Sequence, residues 1–309
     1  MRTTHRVAVI QAASVPFRLE PTMEKAMRLI REAAAGGAML ALFPEAFIGG
    51  YPKGCGFKTP VGARLPGSRD MFLDYFAGAI EVPGREIDRL CEACSEAGVF
   101  AVVGVIERGE STLYCTVVFI DPARGLVGKH RKLMPTGAER LIWGCGDGST
   151  LATAESPLGR LGAVICWENY MPMLRMAMYG KGVQIYCAPT ADDRDTWVST
   201  MRHIALEGRC YVLSACQYVR RGAFPGEYDC VLGDDPDLLL MRGGSLIVSP
   251  LGELLAGPCY DGETIVYADV DPDEIIRGKY DFDVVGHYAR PDVFRLVVDE
   301  GEKRPCSST

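Results

Sequence analysis

The sequence predicts a single-domain α/β protein. Strand-like and helix-like segments alternate along the whole of its 309 residues, and no repeat or low-complexity linker interrupts them. With 48% hydrophobic residues, a chain of this length buries one large core or two modest ones. Val7–Gln11 reads as a strand, Thr22–Ala35 as an amphipathic helix and Met39–Phe43 as a buried strand. A helix follows at Gly84–Ala97, then strands at Val99–Ile106, Leu113–Ile120 and Gly125–His130. Ala163-Val164-Ile165 is the end of a further apolar strand. Beyond it come a helix at Pro172–Tyr179, a strand at Val183–Ala188 and a helix at Asp195–Glu207. Strands are expected at Tyr211–Tyr218, Gly244–Ser249 and Thr264–Val270, with the turn Pro250-Leu251-Gly252-Glu253 between the last two. Gly49–Asp70, Arg220–Arg242 and the tail after Asp283 fit no regular pattern, as binding loops, contact arms or mobile ends do.

Composition narrows the function class. A formal net charge of −7 argues against nucleic acid or an anionic membrane surface as the main partner. No apolar run approaches the roughly 18 residues that span a bilayer. Met1-Arg2-Thr3-Thr4-His5-Arg6 leads straight into a strand-like run, without the apolar stretch of a signal peptide. The twelve cysteines have no framework spacing and sit mostly in apolar runs, so reduced thiols in a cytoplasmic protein are expected. Cys91-Glu92-Ala93-Cys94 matches a redox C-x-x-C only formally, since both cysteines share a helix face with Ile87 and Leu90. His5, His130, His203 and His287 are scattered, and no second cysteine pair completes a zinc site.

Chemistry concentrates in a few places. Cys166 stands where an apolar strand meets a polar turn, Cys166-Trp167-Glu168-Asn169, ahead of the helix at Pro172. A strand followed by a sharp turn presents one side chain at the carboxyl end of a sheet, where α/β folds bind ligands. The backbone N–H after such a turn is free to stabilise developing negative charge. Glu45 follows Phe43-Pro44 at the end of another strand. It is either a carboxylate raised toward general-base range by apolar walls or a capping or surface glutamate. Lys132 closes Lys129-His130-Arg131-Lys132, either a solvated basic face or a cluster with one lysine turned inward. Glu139 and Arg140 open a short apolar turn, for which a surface helix start is the alternative. The following Gly144-Cys145-Gly146-Asp147-Gly148 lacks the ending of a phosphate loop.

Together Phe43-Pro44-Glu45, His130-Arg131-Lys132 and Cys166-Trp167-Glu168 resemble the nitrilase, or carbon–nitrogen hydrolase, superfamily. Cys-Trp-Glu, Arg131–Thr136, His203–Gly208, Leu213–Gln217 and Asp281–Tyr288 are similar to the plant-type sequences of its true nitrilase branch. The likeness runs from residue 5 to about 298, and departs most at the shorter, more acidic segment Val219–Arg242. It implies a four-layer α-β-β-α sandwich over residues 1–283. The tail, 284–309, is then expected at a subunit contact of a homo-oligomer, a dimer or a larger, spiral assembly. It implies Glu45 as general base, Lys132 as cationic stabiliser, Cys166 as nucleophile and Glu139 as a second carboxylate. No metal or organic cofactor is expected. Tyr51, Pro52, Lys53, Trp167, Thr190 and Trp197 are the expected pocket walls, although Tyr51 and Trp197 also read as core or interface aromatics. The expected reaction is hydrolysis of an organic nitrile to acid and ammonia. The alternatives are hydration that stops at the amide (a cyanoalanine-type substrate included), a thiol amidase, or an inactive assembly protein.

Overall fold

The computed structural model describes residues 4–303; Met1–Thr3 and the last six residues of the tail, 304–309, lie outside that range. In chain order the first half comprises β1 (His5–Gln11), α1 (Leu19–Ala35), β2 (Leu40–Leu42), α2 (Ser68–Ala77), α3 (Arg85–Ala97), β3 (Phe100–Gly109), β4 (Thr112–Asp121) and β5 (Gly125–Arg131). The second half comprises β6 (Thr153–Ser156), β7 (Gly159–Ala163), α4 (Pro172–Gly180), β8 (Ile185–Thr190), α5 (Asp195–Gly208) and β9 (Tyr211–Cys216). It continues with β10 (Tyr218–Arg220), β11 (Leu239–Arg242), β12 (Ser245–Val248), β13 (Leu254–Cys259), β14 (Thr264–Val270) and α6 (Asp273–Lys279).

Two six-stranded mixed sheets form, in the orders β14-β1-β2-β3-β4-β5 and β13-β12-β9-β8-β7-β6. Each has a parallel centre, β1-β2-β3 in one and β7-β8-β9 in the other. Strand alternation divides their side chains between three apolar layers. Val7, Val9, Leu40 and Leu42 of the first sheet meet Ile185, Cys187, Leu213 and Ile247 of the second, forming the central layer. Ala8, Ile10, Ala41 and Val103 turn outward onto α1 and α3 through Met23, Ile30, Ile87 and Leu90. Tyr186, Ala188, Val212 and Leu246 turn outward onto α4 and α5 through Leu174, Met178, Met201 and Ile204. The layers therefore run helix, sheet, sheet, helix.

Four local features depart from the sequence reading. The strand expected at Tyr211–Tyr218 breaks at Gln217, whose side chain crosses to the first half of the chain. Its Oε1 accepts from Ser14 N at 3.0 Å and its Nε2 donates to the Glu45 carbonyl at 3.1 Å. α2 escapes a periodicity search because it buries only Ser68 and Tyr75. β13 lies at a sheet edge with partly exposed residues and so carries little alternation. Arg220–Arg242 is not wholly irregular: β10 pairs with β11, and Arg221 fastens the intervening loop by donating to the Pro225, Gly226 and Tyr228 carbonyls.

The tail has no regular element up to residue 303. Val284, Val285 and Val298 pack against the α4–α5 layer, and Lys303 N donates to Asp147 at 2.7 Å. Phe294 and Val297 remain 77% and 80% exposed. No helix among the described residues is long and apolar enough to cross a membrane.

Candidate active site

Three chain segments converge at the ends of β2, β5 and β7. Glu45 lies three residues beyond β2, on a turn where Ala46 adopts φ +50°. Gly104 of β3 runs beneath that turn so closely that a Cβ there would stand 2.1 Å from the Pro44 carbonyl oxygen; glycine is required. Lys132 follows β5, whose alternation settles the fate of the basic cluster. Lys129 and Arg131 point outward and bind Glu107, at 2.6 and 2.9 Å, whereas His130 and Lys132 point inward and are fully buried. The glycine cluster supports this turn. Gly146 N donates to the Lys132 carbonyl at 2.8 Å, and any Cβ at Gly146 would strike the Arg131 carbonyl.

Cys166 opens a 3-10 turn, Cys166–Tyr170, with φ +51°, a backbone state that non-glycine residues rarely occupy. Asn169 holds the elbow by donating from Nδ2 to the Val164 and Cys166 carbonyls at 2.9 and 2.8 Å. Strain of this kind persists only where surrounding contacts enforce it, and it lifts the thiol clear of the strand. The Trp167 N–H belongs to the first turn, whose amides have no partner within the helix.

Lys132 is the electrostatic centre. Its Nζ donates to Glu45 Oε1 and to Glu139 Oε2, each at 2.7 Å. Burial opposes its charge, yet Glu45, Cys166, Cys115 and Glu139 outweigh burial and hold the ammonium well above the usual lysine range. Burial raises the Glu45 carboxyl above its ordinary value; Lys132 pulls it down and Glu139 pushes it up again. Its Oε1 also accepts from the Cys115 thiol at 3.5 Å, while Oε2 has no partner. The neighbouring Cys166 thiol adds a smaller downward pull on the Glu45 carboxyl. Burial, then Glu45, push the Cys166 thiol far above its ordinary range, against the pull of Lys132, the Thr190 hydroxyl and the Ala191 N–H. The site thus brings a buried thiol, a buried carboxyl group and a buried cation together. Those groups suit attack of sulfur on an electrophilic carbon whose attached atom gains negative charge.

A cavity of about 190 Å3 opens onto Cys166, walled by Tyr51, Lys53, Thr136, Glu139, Trp167, Ala191, Asp192, Asp193 and Arg194. Tyr51 donates to Glu139 Oε1 at 2.7 Å, and Thr136 N donates to Glu139 Oε2 at 2.6 Å as the capping bond of the 3-10 turn Gly137–Leu141, so Glu139 does sit at a helix start but is buried there and held, not at the surface. Thr190 donates to Cys166 Sγ at 3.2 Å. Trp167 is half-exposed, with its Nε1 donating to Asp192 Oδ2 at 2.8 Å and the Arg194 guanidinium over its ring. A second pocket of about 340 Å3 shares Tyr51, Lys53, Thr136 and Glu139, and adds Pro52 to its walls.

Trp197 is not a pocket wall. It sits on α5 facing the outer side of the second sheet, fully buried, and donates to Ser214 Oγ at 2.8 Å. Sequence reasoning missed Asp192, Asp193 and Arg194 in the cavity wall, and the buried Glu168–His130 pair beside it. The alternation within Lys129–Lys132, which buries His130 with Lys132, was the available signal for that pair. Among the described residues no group of three or more His, Cys, Asp or Glu side chains could hold a metal ion.

Comparison with known proteins gives one consistent family. The carbon–nitrogen hydrolase family model matches residues 6–280. An aliphatic nitrilase of Sinorhizobium fredii is 64% identical, over 97% of this chain and 97% of its own length. A bifunctional nitrilase/nitrile hydratase of Nicotiana tabacum is 52% identical, over 99% of this chain and 89% of its own length. Among solved structures, the C. elegans NitFhit protein superposes with a TM-score of 0.74 at 20% identity, covering 99% of this chain and 70% of that one. The extent of the family match and the identity to full-length relatives show that the chain belongs to the carbon–nitrogen hydrolase family.

Proposed function

We propose that the protein is a nitrilase, converting a small organic nitrile to its carboxylic acid and ammonia. The buried grouping of Glu45, Lys132 and Cys166 at one cavity carries this reading, and relatives named nitrilase at 64% and 52% identity support it. Cys166 Sγ attacks the nitrile carbon as its proton passes to Glu45, which hands that proton on to the nitrile nitrogen, giving a thioimidate and a carboxylate free to act again. Lys132 and the Trp167 N–H face the charge that builds on nitrogen. Glu45 next removes a proton from water as it adds to the thioimidate carbon and passes it to nitrogen; as the added hydroxyl gives up its own proton to the amine, the C–N bond breaks, ammonia leaves and a thioester remains. A second water, activated in the same way, releases the acid and restores the thiol. Nitrile and two waters thus yield acid and ammonia. Glu139 keeps Lys132 fixed between two carboxylates.

If the C–S bond breaks in place of C–N at the tetrahedral stage, the product is the amide, a course favoured by the bifunctional relative. The compact cavity with its charged rim suits a small, polar nitrile. Eleven unpaired cysteines among the described residues fit a reducing, cytoplasmic compartment. The exposed apolar tail fits burial against a second copy of the chain in a dimer or larger homo-oligomer. The test is a panel of aliphatic, arylacetic and cyano-amino-acid nitriles assayed for ammonia, acid and amide. Ammonia and acid in equal amounts support the reading; turnover of amides with none of nitriles overturns it.

A further inference from the structure

Beside the catalytic groups lies a buried carboxylate that the reaction does not consume. Glu168, on the turn that begins at Cys166, is 2% exposed. Its Oε2 accepts from Ile165 N at 2.9 Å, the amide immediately before the nucleophile. Its Oε1 accepts from Leu133 N at 2.6 Å, the amide immediately after the lysine. His130 Nε2, two residues ahead of Lys132, stands 3.1 Å from the same Oε2. The other ring nitrogen, Nδ1, is 3.2 Å from the Thr150 carbonyl, so the ring spans Thr150 and Glu168. Thr150 also receives Arg131 N on its hydroxyl at 3.1 Å.

β5, which carries the lysine turn, belongs to the first sheet; β7, which carries the cysteine elbow, belongs to the second. No backbone ladder connects those strands, so their separation depends on side chains. Glu168 spans that gap with both oxygens. We infer that Glu168, oriented by His130, is a positioning residue that fixes Lys132 Nζ relative to Cys166 Sγ. The inference rests on the assignment of Cys166 and Lys132 as nucleophile and stabiliser. A carboxylate suits the task because it accepts on both oxygens. Glutamine at this position turns an N–H group toward one of the two backbone donors, and that link is lost.

The test compares Glu168→Gln with wild type, in the natural background and in a Lys132→Met background. The direct readout is alkylation of Cys166 by iodoacetamide, followed at the Cys166 peptide by mass spectrometry, because it needs no nitrile turnover. Lys132 favours the thiolate of Cys166, so a displaced lysine slows alkylation. Glu168→Gln should slow alkylation severalfold where Lys132 is present and leave it unchanged in Lys132→Met. With nitrile, kcat per titratable thiol should fall on the order of tenfold to a hundredfold, the scale of an ångström-size misplacement, with KM within about threefold. His130→Asn, which keeps the bond to Thr150 and drops the contact with Glu168, should shift both readouts in the same direction by less. It carries the test if Glu168→Gln does not fold. Equal slowing in both backgrounds, or unchanged alkylation in a folded variant, overturns the inference. Failure of nitrile turnover in wild type with the background-dependent alkylation intact would sink the proposed reaction and leave the positioning role standing.

Discussion

Replacing Glu45 by glutamine separates the base from the rest of the site. The side chain keeps its shape, and the amide oxygen still accepts from Lys132 Nζ, which remains paired with Glu139 at 2.7 Å. What disappears is the ability to take the thiol's proton. A positioned general base contributes about 10²–10⁴-fold, and complete burial at this site places the loss toward the upper end. Part of the loss is recovered, because Glu45 itself pushes the Cys166 thiol up and its removal lets the thiol ionise more readily. The pH profile carries the sharper expectation. Wild-type kcat/KM rises as Glu45 ionises, with its acid limb displaced above the ordinary value of about 4.3, and is flat beyond that limb. In Glu45→Gln only pre-formed thiolate attacks, so kcat/KM climbs about tenfold per pH unit across the neutral range, still below the raised thiol pKa. Initial-rate measurements from pH 5 to 9 by ammonia release distinguish the two. A variant within about fivefold of wild type, or one with the wild-type plateau, would refute the assignment of Glu45.

Lys132→Met should lower the rate on the order of a hundredfold or more through loss of charge stabilisation. It should also cost about 3–5 kcal/mol of stability, since Glu45 and Glu139 are left facing each other without a cation; thermal unfolding and initial rates check both, and a near-wild-type rate would make the lysine merely structural. Trp197→Phe should lower stability by about 1–3 kcal/mol through loss of its bond to Ser214 and leave KM unchanged, because the ring lies on the far side of the sheet; a changed KM would contradict that placement. Truncation before Val284 should yield smaller species in light scattering and lower activity, and unchanged size with full activity would show that the contacts lie elsewhere.

The fold was legible where burial enforces a period. β1, β3, β4 and β8 are buried on both faces and read as continuous apolar runs, and α1 and α3 each present one apolar face. α2 and β13 were not, because neither buries a full face. Glu45, Lys132 and Cys166 were visible as polar residues stranded at the ends of apolar strands, but residue type alone left Glu45 evenly poised against a bland role and favoured a solvated basic face for Lys132. The resemblance is what assigned them roles, and the structure buries both in one ion pair. Glu168 and Gln217 were illegible because their work is to receive or offer backbone hydrogen bonds across the gap between sheets, a property of tertiary geometry with no local pattern. Trp197 was misplaced for the opposite reason: an aromatic on the first turn of a helix after β8 fits a pocket wall and a core equally well until the helix's rotation is known.

The central claim is that Cys166 alone among the twelve cysteines bonds to substrate carbon. Cys115 is the most demanding control, since its thiol touches Glu45 Oε1 yet is pushed well above its usual range by burial and then by Glu45. Intact-protein mass spectrometry on samples acid-quenched during turnover of a nitrile measures this directly. The account predicts one adduct of thioimidate or acyl mass in wild type and in Cys115→Ala. It predicts none in Cys166→Ala, which should fold normally and release no ammonia. An adduct or ammonia release persisting in Cys166→Ala would contradict it.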